Sequence, residues 1–297
     1  MTFYLNEEQK SLIKKHYQGF EVSNEKNKSE SLFKFHDITI EFFKDKVIFQ
    51  GPREDIIAQY RDYLKNFDTH NWPVIGNDEF GLDNYFGPIV VVSSYIGSSN
   101  LEKLRLFNIE NYKNLPKDKF KELAFDIMKT IIFESVIINN RKYNQWTDAG
   151  YSHDIIKTWG QNQALVRMLQ HKAPYDRIII NQYTNEKRYY DNINNMVANK
   201  NKVIKDKVEF INTAESKYLA VMCSTIISRY LFLEEIDKIR TFSDYDIPLG
   251  SGTDVTNYCI NIKMKMGATF YNFMDRHCKR DFPNTKIIMN AKVNHDK

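Results

Sequence analysis

Two patterns of apolar spacing divide the chain near residue 70. In 7–17, EEQKSLIKKHY, apolar positions recur at helical spacing and predict a short amphipathic helix. A polar loop, NEKNKSES, follows. Over 32–43, LFKFHDITIEFF, apolar and polar positions alternate through Leu32, Phe33, Phe35, Ile38, Ile40 and Phe42, which predicts one strand. Asp45 and Lys46 then turn the chain into a second strand, VIFQG, so the pair reads as a hairpin. PREDIIAQYRDYLKNF predicts a helix, with Pro52 at its start. Helix, hairpin and helix make a small α+β module over 1–68, and DTHNWP reads as a linker.

From residue 69 on, the pattern is a second domain running to 297. PVIGNDEFG predicts a strand and a turn, and PIVVVSSYIG a second strand. PKDKFKELAFDIMKTI predicts a helix started by Pro116, and FESVIINNRKYNQW holds a strand. HDIIKTWGQNQALVRMLQHK predicts a long helix, and DRIIINQY a short buried strand. AESKYLAVMCSTIISRYLFLEEIDKI predicts a long apolar helix opened by AESK. Strands alternating with helices imply an α/β domain with helices packed on a sheet.

Composition narrows the classes. Of 297 residues, 42% are hydrophobic and 27% charged, enough for a packed core, and the net charge of +4 is too small to imply nucleic acid by itself. Cys223, Cys259 and Cys278 are far apart and odd in number, which argues against a disulfide framework. The start, MTFYLNEEQK, lacks the pattern of a signal peptide, and no apolar run approaches the ~20 residues of a membrane span. A cytoplasmic protein without a membrane partner is expected, and a monomer.

The chemistry concentrates at Asp78 and Glu79, adjacent acids where a core strand meets the turn at Gly81. Carboxylates at a strand end suit hard cations such as Mg²⁺ or Mn²⁺. Neighbouring strand residues point to opposite faces, so one shared site requires the chain to twist there. The other reading is a solvated turn. Ser216 and Lys217, in the first turn of the long helix, make a candidate phosphate site; the other reading is a cap and a surface lysine. Tyr85 and Phe86 are either substrate-flanking or core. His153, His171 and His277 are isolated in sequence, and no Gly-rich phosphate loop is present.

The stretches VIGNDEFGLDNYFGPIVV, NQALVRML, RIIINQY, AESKYLAVMCSTIISRYLFLEEIDK and FPNT resemble, in order and spacing, type 2 ribonuclease H and its HIII subfamily in particular. The resemblance covers nearly the whole chain. It implies a ribonuclease H-like fold with a small N-terminal domain similar to a TATA-binding-protein domain, which helps hold an RNA–DNA hybrid. It implies endonucleolytic cleavage of the RNA strand by two-metal attack of water, one cation activating the water and the other stabilising the leaving 3′ oxygen. Asp78 and Glu79 match the family's first two acids.

The departures from the family pattern gather at the same place. Its third acid ends a strand IIIDQF; here the strand reads IIINQY, with Asn181. The glycine-flanked turn is Gly81-Leu82-Asp83, and the DSK motif is Asn111-Tyr112-Lys113. The resemblance implies Asp78, Glu79 and Asn181 as metal ligands, joined in catalysis by Glu186, and Gly81, Lys113, Ser216 and Lys217 as contacts to the hybrid. Asp83 and Glu215 are further candidates for the missing acid. Two function classes follow: a metal-dependent hybrid endonuclease, and a weakly active or inactive hybrid-binding protein on the same fold.

Overall fold

The structure is a computed structural model of the chain, and it describes residues 2–3, 7–23, 29–44, 46–52, 73–104, 107, 109–196 and 202–291. The chain forms two compact units, Met1–Trp72 with Gly97–Thr130, and Pro73–Ile96 with Ile131–Lys297.

In the first unit, β1 (Thr2–Phe3), β2 (Glu21–Val22), β3 (Ser31–Phe35), β4 (Ile38–Phe42) and β5 (Val47–Gln50) form an antiparallel sheet in the order β1-β5-β4-β3-β2. The helix Glu7–His16, with Tyr17 just beyond it, lays Ile13 and Tyr17 onto Phe33, Ile38, Ile40, Phe42, Val47 and Phe49, which form one buried cluster. The single strand expected over 32–43 is in fact two. Phe35 pairs with Ile38 across a two-residue turn, and His36 there has φ 50°. The cause is visible in the spacing: apolar parity slips by one between Phe35 and Ile38, so one continuous strand would have turned half its apolar residues outward. The helix expected over 53–68 lies outside the described residues. The helices Ser98–Leu104 and Lys117–Thr130 also belong to this unit; the latter buries Phe120, Leu123, Ala124 and Ile127.

The second unit is built on β6 (Val74–Phe80), β7 (Ile89–Ile96), β8 (Ile132–Ile138), β9 (Arg177–Asn181) and β10 (Val208–Ile211), ordered β10-β9-β6-β7-β8. β7 runs antiparallel to its two neighbours β6 and β8, whereas β9 pairs parallel to β6 and β10 parallel to β9. The sheet is sandwiched between helices, as the α/β expectation requires. The helix His153–Gln170 covers one face, and the helix Leu219–Ser243 the other.

The long helix lies unusually close to β6. A Cβ on Gly76 would stand 2.2 Å from the carbonyl carbon of Ala220 and 2.3 Å from the nitrogen of Val221. Only glycine lets two backbones approach so closely. Ser224 Oγ donates to Gly76 O at 3.0 Å, and Ser94 Oγ donates to Ala220 O at 2.6 Å, which fixes the helix in register on the sheet. The long helix begins at Leu219, not at AESK; Ala214–Ser216 form a separate 3₁₀ turn. Asn181 takes part in holding that turn, since its Oδ1 accepts from Ala214 N at 3.0 Å.

Candidate metal centre

The site is the carboxyl end of β6 and β9, where parallel strands of an open α/β sheet end together. The β6–β9 register ends at Asn77 against Ile180, so Asp78 and Asn181 are the next pair along. They are bonded: Asn181 Nδ2 donates to Asp78 Oδ1 at 3.2 Å. Thr225 Oγ1 donates to Asp78 Oδ2 at 2.5 Å from the long helix that Gly76 admits. Asp78 is 4% exposed, deeply buried for a carboxylate. Burial, then the charge of Glu79, push it up to about 8, against the Thr225 hydroxyl, the Glu79 backbone N–H and the Lys157 ammonium.

Glu79 points the other way, as strand alternation requires. Its Oε1 is 2.6 Å from Lys157 Nζ, on the helix that covers the opposite face, and both side chains are largely buried. Lys157 Nζ also lies 3.9 Å from the centre of the Tyr183 ring. The Tyr183 hydroxyl donates to Asp154 O at 3.1 Å and bonds to Thr158 Oγ1, and burial raises its pKa to about 12. The two acids therefore straddle the end of the strand, one on each face of the sheet.

Two carboxylate oxygens here are buried without a hydrogen-bond partner among the described residues: Glu79 Oε2 and Glu215 Oε2. Glu215 follows Ala214, whose N–H is bonded to Asn181. Buried carboxylate oxygens without a partner are hard donors of the kind a divalent cation takes. The Lys157 ammonium already stands as one positive charge on Glu79. Among the described residues, no group of three or more His, Cys, Asp or Glu side chains is drawn together closely enough to hold a metal.

The amide of Asn181 is oriented by its neighbours. Ala214 N–H can only donate, so the amide atom facing it is the oxygen, and the nitrogen faces Asp78. As placed, Asn181 is a donor to Asp78. To ligate a cation there, it would have to turn over and release Ala214.

Glu186 is exposed at the first position of the helix Glu186–Asn195, whose cap is Asn185 accepting from Arg188 N. Ser216 and Lys217 are exposed but precede the long helix; Ser216 Oγ donates to Thr213 O and Lys217 Nζ to Asn212 O. Gly81 has φ 100°, and a Cβ there would meet Pro88 O at 2.4 Å and the Phe232 ring at 2.7 Å. Asp83, in the same turn, is exposed. Tyr85 and Phe86 are core residues, fully buried, with the Tyr85 hydroxyl 3.0 Å from Thr285 Oγ1. Lys113 belongs to the first unit, exposed beside the Tyr112 ring; the Asn111 side chain lies outside the described set. His153 and His171 have carboxylate partners, Asp281 at 2.5 Å and Glu134 at 2.7 Å, from segments distant in sequence.

Lys157 and Thr225 escaped the sequence reading. A signal existed for Lys157: it sits at helical spacing with the buried Gly160, Gln161 and Ala164, where an unpartnered lysine is costly. For Thr225 the hint was the small polar residues Ser224, Thr225 and Ser228 inside an apolar run.

Comparison with known proteins agrees with this architecture. The crystal structure of Bst-RNase HIII in complex with Mn²⁺ superposes with a TM-score of 0.71 at 24% identity, covering 97% of each chain. Ribonuclease H2 from Pyrococcus horikoshii OT3 gives a TM-score of 0.59 at 18% identity, over 73% of this chain and 97% of that one. These likenesses establish the ribonuclease H-like fold. In sequence, ribonuclease HIII of Streptococcus agalactiae serotype III is 30% identical over 249 residues, 81% of both chains. That of Enterococcus faecalis is 31% identical over 257 residues, covering 81% of this chain and 82% of its own. The family model for ribonuclease HII matches residues 75–280, which include Asp78, Glu79, Lys157, Asn181, Glu215 and Thr225. With the fold, the family match and the sequence identity in agreement, this chain belongs to the type 2 ribonuclease H family, in its ribonuclease HIII branch.

Proposed function

We propose that the chain hydrolyses the RNA strand of RNA–DNA hybrids at the Asp78–Glu79 end of β6, with Mg²⁺ or Mn²⁺ as cofactor. The observation that carries this reading is Asp78 itself: a buried carboxylate held between Thr225 and Asn181, next in the chain to Glu79, which keeps one buried oxygen unpaired. A carboxylate kept at a cost in desolvation, with its charge disfavoured, is an arrangement for receiving a cation rather than for stabilising a fold.

A divalent cation held here would supply activation of water and compensation of the charge on the phosphate. Asp78 and Glu79 are its proposed ligands. Thr225 orients Asp78, and Asn181 does the same from the other side while holding the 214–216 turn. We assign Glu215, in place of Glu186, as the further acid, because it adjoins the Asn181 bond and has a buried oxygen to give. A two-cation form of the reaction asks for ligand charge near that of the cations, and Asn181 leaves this set one acid short.

Hybrid binding falls to groups that see phosphates and 2′-hydroxyls. Ser216, Lys217 and Lys113 are exposed donors, and Gly81 keeps its turn free of a side chain. The N-terminal module over 1–68 is assigned to affinity for the hybrid; a chain lacking it should bind more weakly at matched salt. Asn181 favours one second reading, a hybrid-binding protein with little turnover.

The test is cleavage of a labelled hybrid by wild type and Asp78→Asn, with hybrid binding measured on both. Metal-dependent cleavage lost in the variant, with binding kept, supports the nuclease. Cleavage that survives in Asp78→Asn overturns the site. Binding without cleavage in wild type establishes the second reading.

A further inference from the structure

Lys157 is a lysine in an unusual place. Its side chain is 7% exposed, and its ammonium is held from two sides, by Glu79 Oε1 at 2.6 Å and by the Tyr183 ring at 3.9 Å. A cation so desolvated interacts strongly with both neighbours. It touches one of the two acids that the cleavage reading assigns to metal binding. It occupies one oxygen of Glu79 and leaves the other, Oε2, buried and unpaired.

Charge then decides what the site can hold. Two dications about 3.5–4 Å apart repel, and only negative ligands offset that repulsion. Asp78 and Glu79 supply two negative charges when ionised, three with the Glu215 that the cleavage reading assigns. Asn181 supplies none, and its amide is turned by Ala214 N–H so that nitrogen, not oxygen, faces Asp78. Lys157 cancels one of these charges. At most two negative charges remain, no more than a single dication needs.

We propose that Lys157 supplies the positive charge that a second cation would otherwise bring, so that this site takes up one divalent cation. The inference rests on the hybrid-cleavage reading, and it joins two features of this site. An amide in place of the third acid removes a negative charge, and an ammonium on Glu79 removes the need for a second dication. Lys157 acts through Glu79 and is a positioning residue; its signature is cation stoichiometry, which a merely structural ion pair would not set.

The experiment is a Mn²⁺ titration of the full chain followed by calorimetry and by the paramagnetic signal of free Mn²⁺. The proteins are wild type, Lys157→Arg, Lys157→Gln and the double variant Lys157→Gln/Asn181→Asp. One cation per chain is expected for wild type and Lys157→Arg, and two for the double variant. Lys157→Gln should bind its first cation about tenfold more tightly or better, because a unit charge beside the site is gone. Circular dichroism checks the fold of each. If the double variant does not fold, wild type and Lys157→Gln still decide. Two cations in wild type overturn this inference and leave the nuclease reading standing. An unchanged affinity in folded Lys157→Gln, or a single cation in a folded double variant, also overturns it. No cation in wild type at millimolar Mn²⁺ overturns both.

Discussion

Asn181 Nδ2 donates to Asp78 Oδ1 at 3.2 Å while Asn181 Oδ1 accepts from Ala214 N at 3.0 Å, so one amide ties together β6, β9 and the turn before the long helix. An acid at this position would keep the bond from Ala214 and lose the one to Asp78. Two carboxyl groups would then face each other in a buried site, a pair that cannot both ionise unless a cation lies between. Asn181→Asp should therefore lower the metal-free melting temperature, and Mn²⁺ should restore it by more than it raises that of wild type. Hybrid cleavage should rise with little change in hybrid binding. Thermal melts with and without Mn²⁺, paired with a cleavage assay, check this. An equal Mn²⁺ effect on both proteins would show that the amide is not the deficit.

Thr225 gives Asp78 its shortest bond, at 2.5 Å, and that bond favours the ionised carboxylate against burial. A hydrogen bond to a charged group contributes about 1.5–3 kcal/mol. Thr225→Val keeps the volume and removes the donor. It should weaken Mn²⁺ binding about tenfold, and Thr225→Ser should restore it. If Thr225→Val binds Mn²⁺ as wild type does, Thr225 serves only its own helix, through the bond from Oγ1 to Val221 O.

The strands β6 to β9 and the two long helices of the second unit were readable because their apolar runs are long and their periods clear. β10 and the shorter helices, among them 186–195 and 253–266, went unpredicted because their sequences are polar or short. The hairpin turn at His36 was hidden by an alternation that slips by a single residue. The site was legible in its acids and illegible in what surrounds them. Asp78 and Glu79 mark a strand end by sequence alone. Their partners Lys157, Asn181 and Thr225 come from three other elements, brought in by a sheet register and two helix packings that no local pattern encodes. Glu186 follows Asn181 by five residues, in the loop from which the resemblance implies an acid, whereas Glu215 is distant in sequence. The bond from Ala214 N to Asn181 brings the 214–216 turn beside that strand end from more than thirty residues away.

Gly76 is where the packing that supports the site is most exposed to a test. A methyl group there would stand 2.2 Å from the carbonyl carbon of Ala220, a backbone atom with no flexible side chain to yield. Gly76→Ala must move the long helix off the sheet, breaking the bonds of Ser224 and Ser94 and withdrawing Thr225 from Asp78. Overpacking of this kind costs about 1–3 kcal/mol or more. Urea unfolding should show that loss, with cleavage reduced further than the fraction unfolded explains. A variant as stable and active as wild type would contradict the close approach.

Lys279 should leave a signature in the pH dependence of stability. It is fully buried, its Nζ donates to Asn84 O and Gly87 O at 2.7 Å each, and burial lowers its pKa to about 7. A neutral amine has two N–H groups, enough for both carbonyls. The unfolded chain keeps this proton until about pH 10.4, while the folded chain gives it up near 7. Below 7 both states are protonated and the fold bears the full cost of the buried charge. Between the two values the unfolded state holds more protons, so this group makes stability rise with pH, by at most about 1.4 kcal/mol per pH unit. Asp78, raised to about 8 in the metal-free chain, works the opposite way up to that pH. The buried Tyr85 and Tyr143, both pushed up chiefly by burial, oppose it again once unfolded tyrosine ionises near pH 10. The informative quantity is therefore wild type minus Lys279→Met, measured by urea unfolding from pH 7 to 9. The difference should grow in favour of wild type as pH rises. A difference that stays flat across that window would mean that Lys279 keeps its proton in the fold, with its charge carried by the carbonyls of Asn84 and Gly87.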